Sequence, residues 1–229
     1  MIKEDFFLDE FYELEENGKF CSLEILDSMG TDDAIADAAR ISYNAGKGPR
    51  KSTTETLVYN LMKREHWTPF EQAVVKFRVK IPNTIWKQWL RHRLASINES
   101  SLRYSSNPEF EFFVPKVWRD ERGLPLPDEV QAALTKNLEA NHRTWVEVYR
   151  WRIGLGVARE QARIDAPGTL IADAYWTANL REVFHFATLR GDEAAQLEIR
   201  RYARRMVDLV AERFPCAAKA FREIRGGAR

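Results

Sequence analysis

The sequence predicts an α+β fold, a mainly antiparallel sheet with helices packed on it. Three features point that way: the alternating run "FEQAVVKFRVKIP" (70–82), a second run of strand formers, "TLIADAYWTANL" (169–180), and capped helical stretches around both. No repeat, low-complexity tract or Gly/Ser linker interrupts the 229 residues. A single domain spanning 1–229 is therefore expected, with an acidic extension at 1–20.

"KFCSLEILDSM" (19–29) alternates as an early strand, and "TDDAIADAARISYNAG" (31–46) is a helix opened by Thr31 and closing near Gly46. "STTETLVYNLMKREH" (52–66) is a second helix, capped by Ser52 or Thr53 with Glu55 close behind. In the strand over 70–82, Ala73, Val75, Phe77 and Val79 alternate with Val74, Lys76, Arg78 and Lys80, which gives one wet face. Pro82 starts the helix "PNTIWKQWLRHRL" (82–94), where its missing N–H costs nothing. Ile85, Trp89 and His92 would share one side of it, and Gln88 and Arg91 another.

The chain through "SSLRYS" lacks helical periodicity and reads as extended, and "FEFFVPKVW" (110–118) as a strand. A long helix is expected from Pro127 to about Ile153, and "VAREQARIDAP" adds a turn or two before Pro167. "REVFHFATLRGD" (181–192) and "EAAQLEIRRYARRMVDLVAERFP" (193–215) complete the helices, the latter ending before Pro215.

Composition removes several function classes. The formal charge of +1 supplies no global field for nucleic acid, although the first twenty residues carry seven acids against two lysines and the C-terminal stretch is basic. No apolar run is long enough to span a bilayer. The acidic N-terminus lacks the basic character of a signal or transit peptide, so a cytoplasmic protein is expected. Two cysteines, Cys21 and Cys216, lie far apart outside any CxxC spacing, and four histidines are scattered without zinc spacing, so no metal is expected. Both cysteines read as structural thiols.

The stretch "RHRLASINESSLRYS" (91–105) is the chemically dense part of the chain. If residues 99–104 are extended, Glu99, Ser101 and Arg103 point the same way, just after Arg91, His92 and Arg93. Arginine forks suit a phosphate, and the carboxylate suits an N–H or a ribose hydroxyl. A nucleotide satisfies the set, although basic residues at a helix C-terminus also serve as simple dipole capping.

"RHRLASINESS" fits the RHR-x7-S signature of the flavin-dependent thymidylate synthases, with Arg91, His92, Arg93 and Ser101 in the fixed positions. "EHWTPFEQ", "AREQARIDAP", "WTANLREVFHFATLR" and "AQLEIRRYA" resemble further family segments in the family's order, from roughly residue 20 to 205. The resemblance implies a methyltransferase that makes thymidylate from deoxyuridylate. Methylenetetrahydrofolate would supply the carbon, and flavin adenine dinucleotide (FAD) reduced by NADPH the hydride, without a cysteine nucleophile. It also implies a homotetramer with active sites at subunit interfaces, because the family's flavin lies extended across several chains.

Residue roles follow from the same resemblance. Arg190 would lie against the uracil as the catalytic group, favouring ionisation at N3. Gln88, Trp89, Leu90, Arg91 and Glu99, then Ser100, Ser101, Leu102, Arg103 and Arg163, fall at deoxyuridylate positions. His66, Thr68, Glu71, Arg91, His92, Arg93 and Glu99, then Asn179, Leu180, Arg181 and His185, fall at flavin positions. Read without the resemblance, His66 could cap a helix, Glu71 pair with a strand lysine, and His185 sit in the core between Phe184 and Phe186. Arg190 could likewise cap its own helix. Trp86, Trp89 and Trp176 read as core. After Arg190 the turn "GDEAAQ" offers only Asp192 and Glu193, a departure at the folate contacts. With no GxGxxG after a strand, a Rossmann site is not expected. Three rivals stand beside this reading: a nucleotide-binding protein without catalysis, a nucleic-acid module on the basic C-terminal helix, and a flavoenzyme for another pyrimidine.

Overall fold

The computed structural model describes residues 21–42, 52–104 and 109–226. The acidic stretch 1–20 with Phe6, Phe7, Phe11 and Tyr12, the expected helix end near Gly46, and Ser105 lie outside the described residues. Four strands form an antiparallel sheet in the order β1-β2-β4-β3, where β1 is Ser22–Met29, β2 Val74–Pro82, β3 Ala95–Glu99 and β4 Ile171–Asn179. The helices among the described residues are α1 Asp32–Ile41, α2 Thr54–Lys63, α3 Asn83–Trp89, α4 Asp128–Gly154, α5 Arg159–Ala162, α6 Leu180–Arg190, α7 Leu197–Arg213 and α8 Pro215–Arg225. The α+β class expected from the sequence is the one observed. None of these helices is long and apolar enough to cross a membrane.

Contacts divide the chain into two compact units, each assembled from separate segments rather than split at one boundary. The first comprises 1–22, 80–88 and 99–174; the second comprises 23–79, 89–98 and 175–229.

In the second unit the expected alternation holds from Ala73 onward, with Ala73 just before β2 and Val75, Phe77 and Val79 within it all completely buried, but Thr68–Gln72 forms a 3-10 turn instead of the start of the strand. They meet an aromatic core in which Trp89 lies 4.3 Å from Phe186 and edge-on to Trp176 and Tyr202 at 5.6 and 5.8 Å. Burying each such ring contributes roughly 2–3 kcal/mol; Trp89 and Trp176 are core residues, as expected, and in the first unit so is Trp86. Helix starts follow their cap chemistry. Thr31 Oγ1 accepts the Ala34 N–H, and Thr53, rather than Ser52, caps α2 by accepting from Thr56. The run 193–215 becomes α7 alone, starting at Leu197, and Pro215 opens α8 instead of ending the helical chain. Pro occupies the first helical position of α8, and the next two N–H groups, of Cys216 and Ala217, are taken by the buried Asp32 carboxylate at 2.8 and 3.0 Å. Gly226 closes α8 at φ +70°, a conformation that glycine adopts without cost.

In the first unit α4 presents Trp145 and Tyr149 to a core shared with Ala162 and Leu170. Here the strand expected over 110–118 is corrected. Only Phe112 makes a bridge, to Leu170. Phe110 stands edge-on to Trp145 at 5.0 Å, and Phe112 stacks on His142 at 4.3 Å. These aromatics serve packing against α4 rather than a ladder.

Three further boundaries differ near the candidate site. Pro82 ends β2, and α3 starts at Asn83 with its first N–H groups donating to Leu170 O and Gly168 O. A side chain at Gly168 would stand 2.5 Å from Thr84 Cγ2 and would force Thr84 to shift. At its other end α3 stops at Trp89, and His92 is therefore not on a helical face shared with Trp89. Beyond Glu99 the chain turns at 102–104 instead of staying extended.

Candidate active site

α6 fixes one side of the main site. Asn179 caps it by accepting the Glu182 N–H at 3.0 Å, and the burial of Val183, Phe184, Phe186 and Ala187 turns Arg181 and His185 outward. His185 is therefore exposed and is not a core histidine. Arg190, in the last turn, is half-buried.

The segment after α3 supplies the other side. Arg91 and Arg93 are exposed, whereas His92 between them is 4% exposed and packs edge-on against Phe186 at 4.8 Å. Together these elements enclose a cleft of about 550 Å³ within the second unit. It is lined by Arg91, His92, Arg93, Arg181, His185 and Arg190, with Trp67, Leu94, Glu182, Phe184, Thr188, Leu189 and Arg225.

The electrostatics of the cleft centre on His92. The Arg190 Nε–H donates to His92 Nε2 at 3.1 Å, so that nitrogen carries no proton. Burial first, then the neighbouring Arg190 and His185, push the imidazole from its ordinary 6.5 down to about 4. It is neutral throughout the physiological range. Burial, with Arg91 beside it, lowers Arg190 from its ordinary value. Burial raises the Glu182 carboxyl, whose neighbours are His185, Arg181 and the Leu94 N–H.

Within the first unit a smaller cavity, about 370 Å³, is lined by Glu99, Ser100, Leu102 and Arg163, together with Lys80, Asp173 and several others. Trp86 donates its indole N–H to Glu99 at 2.8 Å. The turn at 102–104 sets Ser101 Oγ to accept from the Arg103 backbone N–H and Nε–H at 3.4 and 3.3 Å. Arg103 and Ser101 are thus partners through a turn rather than through the expected strand alternation. Arginine donors, not a base, face the hydroxyl.

Some expected residues stand elsewhere. Trp89 and Leu180 are fully buried, so their side chains reach neither cavity, and the Leu180 N–H is spent on Ala73 O. His66 and Thr68 are exposed beside Trp67, which does line the cleft. Glu71 pairs with Arg181 rather than with a lysine. Gln88 and Leu90, at the end of α3, are half-buried and exposed. Sequence reading missed Trp67, Glu182 and Arg225. Arg225 pairs with Glu65 at 2.6 Å and lies 5.9 Å from the Trp67 ring, a junction of α8 with the 64–67 turn that no local pattern announces. Among the described residues no group of three or more His, Cys, Asp or Glu is placed to hold a metal ion.

An α+β fold carrying a cleft of converging guanidiniums is suited to an anionic ligand. The family described as thymidylate synthase complementing protein matches residues 24–216. A flavin-dependent thymidylate synthase of Thermus thermophilus is 40% identical over 209 residues, covering 88% of this chain and 75% of its own. One from Thermosipho africanus is 38% identical over 208 residues, covering 87% and 90%. Among solved structures, the UMP/dUMP methylase PolB from Streptomyces cacaoi bound with 5-Br dUMP superposes with a TM-score of 0.82. That comparison has 26% identity and covers 91% of this chain and 97% of the other. The chain belongs to the flavin-dependent thymidylate synthase family.

Proposed function

We propose that this enzyme converts deoxyuridylate to thymidylate, with methylenetetrahydrofolate as carbon donor, FAD as the flavin and NADPH as its reductant. The observation that carries the reading is Arg190: a half-buried guanidinium, oriented by a neutral imidazole, in a cleft lined by further arginines. A positive charge held beside a uracil stabilises the anion formed by ionisation at N3, and that anion makes C5 nucleophilic. Preorganised charge of this kind is worth several kcal/mol because no reorganisation is needed when the charge develops.

The residues fit the flavin chemically. Arg91, Arg93 and Arg181 offer bidentate donors to a pyrophosphate, and Trp67 and His185 offer ring faces. When bound and reduced, the flavin supplies the hydride that completes the methyl group. Ser101, Arg103 and Arg163 are assigned to the deoxyuridylate phosphate and base, and Glu99 to its polar edge. Catalysis without a cysteine nucleophile agrees with the thiols: Cys21 is buried, and Cys216 is pushed up to about 11 by burial and Asp32.

The active assembly in this reading is a homotetramer in the cytoplasm. A nucleic-acid module would need exposed aromatics among the basic residues of α7 and α8, but Tyr202, Phe214 and Phe221 are all buried.

The test compares deoxyuridylate with uridylate and deoxycytidylate as methyl acceptors under identical folate, NADPH and flavin. Deoxyuridylate is expected to have the highest kcat/KM; faster turnover of uridylate would transfer the assignment to a ribonucleotide methylase.

A further inference from the structure

We infer that Glu182 is a positioning residue for Arg190 and acts on it through His92, an inference that rests on the role proposed above for Arg190. Glu182 occupies the third position of α6, where a glutamate ordinarily reaches back over the cap in water. Here its side chain is instead buried, at 4% exposure, with Oε1 3.5 Å from His92 Nδ1. The same carboxylate takes the Leu94 N–H, so it grips the 92–94 segment at two points. A buried carboxylate is costly unless it is partnered, and these are partners that only the folded loop provides.

The proton on His92 decides what this contact does. Because Nε2 accepts from Arg190, the imidazole hydrogen sits on Nδ1, the nitrogen facing Glu182. At 3.5 Å the contact is longer than a well-formed hydrogen bond and acts as a charge–dipole attraction. It favours the tautomer that leaves Nε2 open to Arg190, and it discourages the ring from flipping. The opposite tautomer would place two N–H groups against each other and turn the guanidinium away. The groups facing this pair are Arg190 and His185 toward His92, and His185, Arg181 and the Leu94 N–H toward Glu182.

The experiment replaces Glu182→Gln in the full-length flavin-loaded enzyme. A glutamine can turn its NH2 toward Nδ1 and so stabilise the wrong tautomer. The expected result is about a tenfold fall in kcat, with the KM for deoxyuridylate and the flavin content unchanged. The fraction of bound deoxyuridylate ionised at N3, read by ultraviolet difference spectra on flavin-free protein, falls with it. The wild-type acid limb of kcat, set by protonation of the carboxylate that must stay ionised to orient His92, is replaced in the variant by the lower-lying limb of His92 itself, at about 4. In a His92→Asn background Glu182→Gln has no further effect, because its route to Arg190 is already cut.

Wild-type kcat and an intact acid limb in Glu182→Gln overturn the inference, as does an additive loss in the His92→Asn background. A parallel loss of flavin and thermal stability would reveal a purely structural role. If Glu182→Gln does not fold, Glu182→Asp keeps the charge but withdraws it by one methylene; the falls in kcat and in N3 ionisation are then the readouts, since a titratable carboxylate and its acid limb remain. A wild-type enzyme that makes no thymidylate while still ionising deoxyuridylate removes the proposed reaction and leaves the positioning role standing.

Discussion

Trp86 donates its indole N–H to Glu99 Oε2 at 2.8 Å, which ties a fully packed ring, 2% exposed, to a carboxylate at the surface of a cavity. A charge-assisted bond of this kind is worth about 1.5–3 kcal/mol. Its fixed end is the tryptophan, so the tryptophan sets where the carboxylate points. Trp86→Phe is expected to lower stability by about 2 kcal/mol, from lost volume and the lost bond together. Deoxyuridylate binding should weaken several-fold by calorimetry, and unchanged affinity would remove Glu99 from the nucleotide site.

Arg190→Ala is expected to nearly abolish turnover while the purified protein keeps its flavin. Substantial residual kcat would end the base-activation role. Arg103→Ala, by contrast, should weaken deoxyuridylate binding by about 2 kcal/mol, the cost of removing a charge-assisted contact, with kcat at saturation largely preserved.

His92 sets a pH dependence whose sign follows from its lowered pKa. Unfolded, the ring takes a proton near 6.5; folded, it resists protonation until about 4. The unfolded state therefore binds more protons across that window, so stability is fully present above pH 6.5 and is lost as pH falls toward 4. The gap corresponds to an effect on the order of 3 kcal/mol. His142, lowered by burial, adds in the same direction. Thermal melts should show the midpoint falling between pH 6.5 and 4.5, with a shallower slope for His92→Asn.

Replacing both thiols, Cys21→Ala with Cys216→Ser, should leave kcat within about twofold, because a thiol held near 11 supplies no thiolate at neutral pH. A collapse of activity in a folded, flavin-loaded double variant would restore a cysteine nucleophile.

Much of the fold was readable because local pattern and tertiary demand agree. The β2 alternation, the Thr31 cap and the length of α4 are examples, and in each the side chains that set the pattern are also those the core or cap uses. Errors fell where tertiary packing overrode local preference. The helix through residue 94 stops at Trp89 because His92 is drawn inward onto Phe186 and Arg190. Phe110 and Phe112 look like strand residues because aromatic side chains suit both strands and a helix-covering layer. Pro215 signals either a stop or a first helical turn, and only the Asp32 carboxylate, far away in sequence, selects the second.

The site was legible through its arginines and not through what holds them. Arg91, Arg93, Arg181 and Arg190, which the motifs put at nucleotide and flavin positions, all line one cleft. Glu182 looked like an ordinary first-turn acid, and Trp67 like a neighbour of Thr68. Their roles arise from burial and from approach of the 89–94 segment, which sequence spacing does not encode.

The most direct measurement is thymidylate formation from deoxyuridylate, methylenetetrahydrofolate and NADPH by the flavin-stripped protein, with and without added FAD. Product that appears only on adding FAD is the expected result. A folded, flavin-loaded enzyme that yields no thymidylate would contradict the proposed reaction.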